Sequence, residues 1–111
     1  MAGTVAQLRV YTIRQGKMHE FVDAWSRGVH PLRLKHGFRI EGAWVLEEES
    51  KFVWVVSYDG PESWEEKEAR YYASAERKAM DPDPAKHIAL AETWFVTPAL
   101  PSHDRPGGAQ G

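Results

Sequence analysis

A chain of 111 residues has room for one domain, since most domains hold roughly 50 to 200 residues, and a second is excluded. At this size folding buries roughly 65% of the extended surface, which makes one core; a deep internal cavity as well is not expected, so any pocket is expected to need a partner. The 14 Lys plus Arg against 16 Asp plus Glu leave a net charge of -2 and no pull toward nucleic acid or anionic membrane, and the lack of cysteine excludes disulfides, thiolate catalysis and Cys-ligated metal.

Met1 to Thr4 leads directly into a strand-like run with no charged and long apolar leader, and no apolar stretch approaches ~20 residues, so the chain reads as soluble and cytoplasmic. Val5 to Arg14 is rich in β-branched and aromatic residues and stops at Gln15-Gly16, which predicts the first strand and its turn. Met18, Phe21, Val22, Trp25, Val29 and Leu32 then form one apolar helical stripe, starting from about Lys17. Pro31 removes a helical hydrogen bond, so a kink or a break is expected there, with a short final turn ending at Gly37.

Phe38 to Leu46 and Lys51 to Tyr58 are two strands joined by the acidic tip Glu47-Glu48-Glu49-Ser50, a hairpin. Asp59-Gly60-Pro61 turns into a second helix carrying Trp64, Tyr71, Tyr72, Ala75 and Ala79, its stripe interrupted by Glu68 and divisible at Ser74. Asp81-Pro82-Asp83-Pro84 ends it, because the residue before each proline is driven from helical geometry. The last strand runs from about Ile88 to Thr97. Beyond Pro98 the composition turns to Pro, Gly, Ser and Ala, so residues 1–98 read as the domain and 99–111 as a tail, solvated or laid over a neighbour. The order βαββαβ predicts an α+β, ferredoxin-like fold: a four-stranded antiparallel sheet with two helices on one face.

Two helices shield one face only, yet both faces of the strands are apolar. Strand three sets Phe52, Trp54, Val56 and Tyr58 against Val53 and Val55; strand two sets Ile40, Trp44 and Leu46 against Ala43 and Val45; strand four sets Trp94 and Val96 against Ala91 and Phe95. A bare face of this kind, beyond ~400 Å², is larger than soluble monomers usually carry, which predicts a face-to-face homodimer.

Leu8-Arg9-Val10-Tyr11-Thr12-Ile13 with Gly16-Lys17, Pro31-Leu32-Arg33, Lys35-His36-Gly37-Phe38, Gly42-Ala43-Trp44, Phe52-Val53-Trp54, and Tyr71-Tyr72-Ala73-Ser74 ahead of Asp83-Pro84-Ala85 together resemble the NIPSNAP family over about residues 5–98. The resemblance implies a dimeric α+β barrel. That superfamily holds cofactor-free monooxygenases, polyketide cyclases, haem-degrading enzymes and proteins of unknown role, and the family supplies no agreed reaction or catalytic residues.

Arg9 is a charge within an apolar strand and shares a face with Gln7, Tyr11 and Ile13. Strand four is expected beside strand one, which makes Glu92 its expected partner inside the dimer barrel; the guanidinium either is paired structurally or anchors a carboxylate or enolate. Tyr11, Trp44, Trp54 and Trp94 are expected to line an aromatic cavity between the sheet and its partner, or to pack the interface. His87, where a loop feeds strand four, is expected near Tyr71 or Tyr72 as a proton-transfer pair at the cavity mouth; His19, His30, His36 and His103 have ordinary structural roles. The candidate catalytic set is therefore Arg9, Tyr11 and His87, and the ligand-binding set Trp44, Trp54, Tyr72, Glu92 and Trp94.

No metal-ligand spacing, phosphate cradle or nucleophile triad is present, so neither metal nor cofactor is expected. An RNA-recognition module shares the element order, but Phe52 and Trp54 stand where its glycines belong and no basic stripe accompanies the aromatics. The sequence reading is a homodimer binding a small hydrophobic or aromatic molecule, as a cofactor-free monooxygenase, cyclase or proton-transfer enzyme on an aromatic or polyketide-like substrate. The alternative is a non-enzymatic adaptor whose barrel is filled by side chains.

Overall fold

The structure, a computed structural model, describes residues 4–100. The residues beyond 100, most of the expected tail, lie outside the described part. β1 (Thr4–Ile13) leads through Gly16, held at a φ of +76° that favours glycine, into α1 (Met18–Ala24). A π-helical turn, Trp25–Val29, joins α1 to α2 (His30–Lys35). The expected break at Pro31 takes this form: the His30 N–H reaches back five residues to the Trp25 carbonyl just before the proline, so the helix widens and continues. Gly37, at φ +90°, then turns the chain into β2 (Arg39–Leu46).

β3 (Lys51–Asp59) returns antiparallel to β2. Ser63 starts α3 (Trp64–Ala73) with a reciprocal cap, accepting from the Glu66 N–H while the Glu66 carboxylate accepts from the Ser63 N–H. Ser74 does divide the second helix. Its backbone is extended, and its hydroxyl accepts from the Arg77 N–H to start the short α4 (Ala75–Lys78). A 3-10 turn, Pro84–His87, feeds β4 (Ile88–Val96).

The sheet order is β2-β3-β1-β4, antiparallel throughout, with the helices on one face: the ferredoxin-like α+β fold. The core lies between sheet and helices. Tyr11, Ile13, Phe52, Trp54, Val56 and Tyr58 from the strands meet Phe21, Trp25, Leu32, Trp64 and Tyr71 from the helices. Phe38 sits at its end, edge-on to Trp64 and tilted against Tyr58, with the Arg33 guanidinium 4.6 Å from its ring centre.

The opposite face carries Leu8, Val10, Val53, Val55, Trp44, Leu46, Leu90, Trp94 and Val96 by register, and Trp44 and Trp94 are 55% and 49% exposed. Strands three and four divide as expected. Strand two does not: the register shifts between Ile40 and Gly42, and the extra residue at Glu41 reverses the alternation. Ile40 consequently pairs with Val56 toward the core, while Trp44, opposite Val53, stays on the bare face.

Phe38→Ala is expected to lower the unfolding free energy by about 3–5 kcal/mol, the cost of emptying an aromatic core site; urea melts followed by circular dichroism measure it.

Candidate functional site

Arg9 and Tyr11 point toward the helices, not into a barrel between two sheets. Arg9 is opposite Trp54 in the β1–β3 register, and both are buried. Its partner is Glu68 on α3, at 2.7 Å from Nη2. The expected pairing with Glu92 is wrong, because Glu92 stands opposite Val10 and therefore on the other face of the sheet. Nε donates to Gln7 Oε1 at 2.7 Å and Nη1 to the Tyr72 hydroxyl at 3.3 Å, with Tyr11 Oη at 3.5 Å.

Glu68 also accepts from Arg33 Nη1, with Arg33 Nη2 3.4 Å from its other oxygen, so one carboxylate bridges two guanidiniums from β1 and α2. Arg33 is 1% exposed and stacks on the Tyr71 ring at 3.9 Å. Its Nη2 also donates to Tyr72 Oη at 3.3 Å. The Tyr72 hydroxyl thus accepts from both arginines, which leaves its own proton free to be donated. Burial pushes the Glu68 carboxyl upward, but the hydrogen bond and charge of Arg33 and the charge of Arg9 outweigh it and hold the group below its ordinary 4.5. Burial raises the Tyr71 phenol, so it remains a protonated donor.

Beside this triad lies a cavity of about 200 Å³ between sheet and helices. Six aromatic side chains wall it: Tyr11, Phe21, Trp25, Trp54, Tyr71 and Tyr72. Arg33, Arg77 and the small Ala85 and Ala91 complete it with aliphatic neighbours. One subunit therefore holds a cavity without a partner, contrary to the size-based expectation. The reason is that α4 is short and the Pro84–His87 turn, not a long helix, covers the β4 end of the sheet.

Of the expected site residues, the structure brings Arg9, Tyr11, Trp54 and Tyr72 together. Trp44, Glu92 and Trp94 are on the bare face, away from this cavity. His87 is apart as well: it is buried against α1, its Nε2 3.8 Å from Glu20, and lines a separate surface recess with His19, Asp23 and Lys86. Sequence reasoning missed Arg33, Glu68, Trp25 and Arg77, and named Tyr71 only as an alternative partner for His87. A signal existed for two of them. Glu68 is the interruption in the stripe of helix two, and Arg33 follows Val29 by four residues, on the apolar side of helix one. Among the described residues no three His, Asp or Glu gather as a metal site, and no helix is long and apolar enough to cross a membrane.

The NIPSNAP family model matches residues 6–102. The chain belongs to the NIPSNAP family. Solved NIPSNAP structures repeat its fold: an uncharacterised NIPSNAP domain protein from Burkholderia xenovorans is 22% identical with a TM-score of 0.74 over 86% of this chain and 94% of that one. A NIPSNAP family protein from Agrobacterium tumefaciens is 19% identical with a TM-score of 0.75 over 88% of each chain. A candidate antibiotic biosynthesis monooxygenase from Nitrosomonas europaea shares the fold more distantly, at 14% identity and a TM-score of 0.65 over 91% of this chain and 95% of that one. A search of curated proteins finds no match. These likenesses establish the NIPSNAP fold and family and leave the reaction to be argued from the cavity.

Within this NIPSNAP chain, Glu68 is the carboxylate shared by two buried cations. Its folded pKa is the lower one, so its contribution is fully present above the ordinary carboxylate range and is lost as pH falls through the folded value. Glu68→Gln is expected to cost about 3–5 kcal/mol at neutral pH. The variant's stability is also expected to fall less steeply than wild type below about pH 4.5; urea melts across pH 3 to 7 check both.

Proposed function

We propose that two copies of this chain join through their bare sheet faces, and that each binds a small single-ring aromatic molecule in the cavity between its own sheet and helices. The observation that carries this reading is the cavity itself: an aromatic-walled space beside a buried polar triad, in a domain small enough to have filled it with side chains. At about 200 Å³ it exceeds the ~150 Å³ engineered cavity that holds benzene. It is below the ~300 Å³ of typical drug-sized sites, so one ring fits and a fused polyketide does not.

The chemistry that the walls support is cofactor-free proton transfer on an activated aromatic. Oxygenation by dioxygen is the finer class suggested by the monooxygenase likeness. Tyr72, with its proton free, and Tyr11 are the proton carriers. Arg9, its N–H groups taken by Gln7, Tyr72 and Glu68, positions Tyr72 and no longer stands as the ligand's anchor. A filled adaptor is disfavoured by the open cavity. An RNA module is disfavoured because the rings of β1 and β3 lie under the helices, where no base can stack on them.

The dimer is supported by the bare face, where Trp44, Leu46, Leu90 and Trp94 stand exposed around the valines of β3. Sedimentation at micromolar concentration is expected to show two chains per particle. Trp94→Asp is expected to give a single folded chain, and an unchanged dimer in that variant would overturn the assembly.

For the cavity, a panel of single-ring aromatics of differing charge is titrated against intrinsic fluorescence. At least one member is expected to bind at millimolar concentration, and Ala91→Phe, which fills the space, is expected to abolish it. No binding across the panel, or equal binding in the filled variant, would overturn the reading.

A further inference from the structure

The cavity's polar groups are unusual in kind. Five buried side-chain donors have no hydrogen-bond partner among the described residues: Trp25 Nε1, Trp54 Nε1, Arg33 Nε, Arg77 Nε and the Tyr71 hydroxyl. All five belong to side chains that wall this one cavity. Trp25, Arg33, Trp54 and Tyr71 are each more than nine-tenths buried. Buried donors in folded proteins are nearly always paired, and an orphan forfeits its hydration without compensation. The side chains wall the space while the five donor atoms themselves are closed off from it, so this wall of the cavity is rich in donors and poor in acceptors.

The charge balance points the same way. Arg9 and Arg33 share the single carboxylate of Glu68, so the buried triad carries one positive charge in excess. Arg77 contributes a third guanidinium at the cavity, paired through Nη2 to the more exposed Asp83 at 3.2 Å. Among the described residues no acidic side chain lines the cavity. An uncompensated buried cation favours an anion that brings two acceptor oxygens, because charge-assisted bonds to guanidinium are roughly twice as strong as neutral ones.

We infer that the molecule held in this cavity is a small aromatic monocarboxylate. Its ring lies among Phe21, Trp25 and Trp54, and its carboxylate lies on the side of the cavity where the Arg33 and Arg77 side chains stand. This rests on the reading of the cavity as a ligand site and adds the charge of the occupant. It also reassigns the anion-binding role from Arg9 to two residues of α2 and α4. The size agrees, since a benzoate-like molecule is one ring and one head group.

The experiment compares benzoate with benzamide, its uncharged counterpart of the same shape, and with phenol, each titrated into the full chain. Affinity is read from thermal shift, and position from the tryptophan indole N–H signals in nitrogen-15 spectra, assigned by Trp25→Phe and Trp54→Phe. Benzoate is expected to bind at least about tenfold more tightly than benzamide or phenol and to move the Trp25 and Trp54 signals while leaving those of Trp44 and Trp94 in place. Arg77→Gln, at a side chain that is only partly buried and so can be replaced without loss of the fold, is expected to weaken benzoate about tenfold while leaving benzamide unchanged.

If benzamide or phenol binds as well as benzoate, the anion assignment is overturned and the aromatic cavity stands. If benzoate shifts only the bare-face indoles, the assignment fails because the anion sits elsewhere. If none of the three binds, both the assignment and the cavity reading fall together.

Discussion

A guanidinium removed from water needs a counter-charge, and here two of them draw on one carboxylate. Arg9 projects from the middle strand β1, Arg33 from the last helical turn before β2, and Glu68 from the second turn of α3. The three elements are far apart in sequence, and the carboxylate fixes where all of them must meet. Losing Glu68 strands two buried cations, so the contact specifies the helix layer's position more than it adds net stability. Tyr72 is held by both arginines, and the aromatic cavity opens beside them.

That contact separates the two faces of the sheet functionally. The covered face combines rings with charge and holds the candidate chemistry. The bare face is largely apolar, with Trp44 and Trp94 standing out of it and Glu92 opposite Val10 on its β4 edge. The cavity opens between helices and sheet and not on the bare face, so the proposed pairing through that face would leave the cavity undisturbed.

Much of the fold was legible in the sequence, and the reasons are local. The stripe from Met18 to Leu32, the alternation of β3 and the division of the second helix at Ser74 are short-range patterns that report their own geometry. Two features hid from that reasoning. The bulge at Glu41 reverses the phase of β2, so Ile40 and Trp44 were assigned to one face although they lie on opposite ones. The π-helical turn before Pro31 carries Trp25 and Val29 to the cavity, whereas the proline itself announced only a break.

The candidate site was half legible for a different reason. A lone arginine in an apolar strand signals that a partner exists but not where it stands. The strand order made Glu92 the natural choice, and only the direction of the side chains, Arg9 to the helices and Glu92 to the bare face, selects Glu68 instead. Arg33 and Arg77 acquire meaning from tertiary packing, since each reads as an ordinary helical residue until α2 and α4 meet over the sheet.

The central claim is that Glu68 and Arg33 act as one unit. A double-mutant cycle with Arg33→Met and Glu68→Leu, measured by urea unfolding at neutral pH, tests it most directly. A coupling energy of about 2 kcal/mol or more between the two positions is expected for a shared buried contact. Additive effects, with the two single losses simply summing in the double variant, would contradict it.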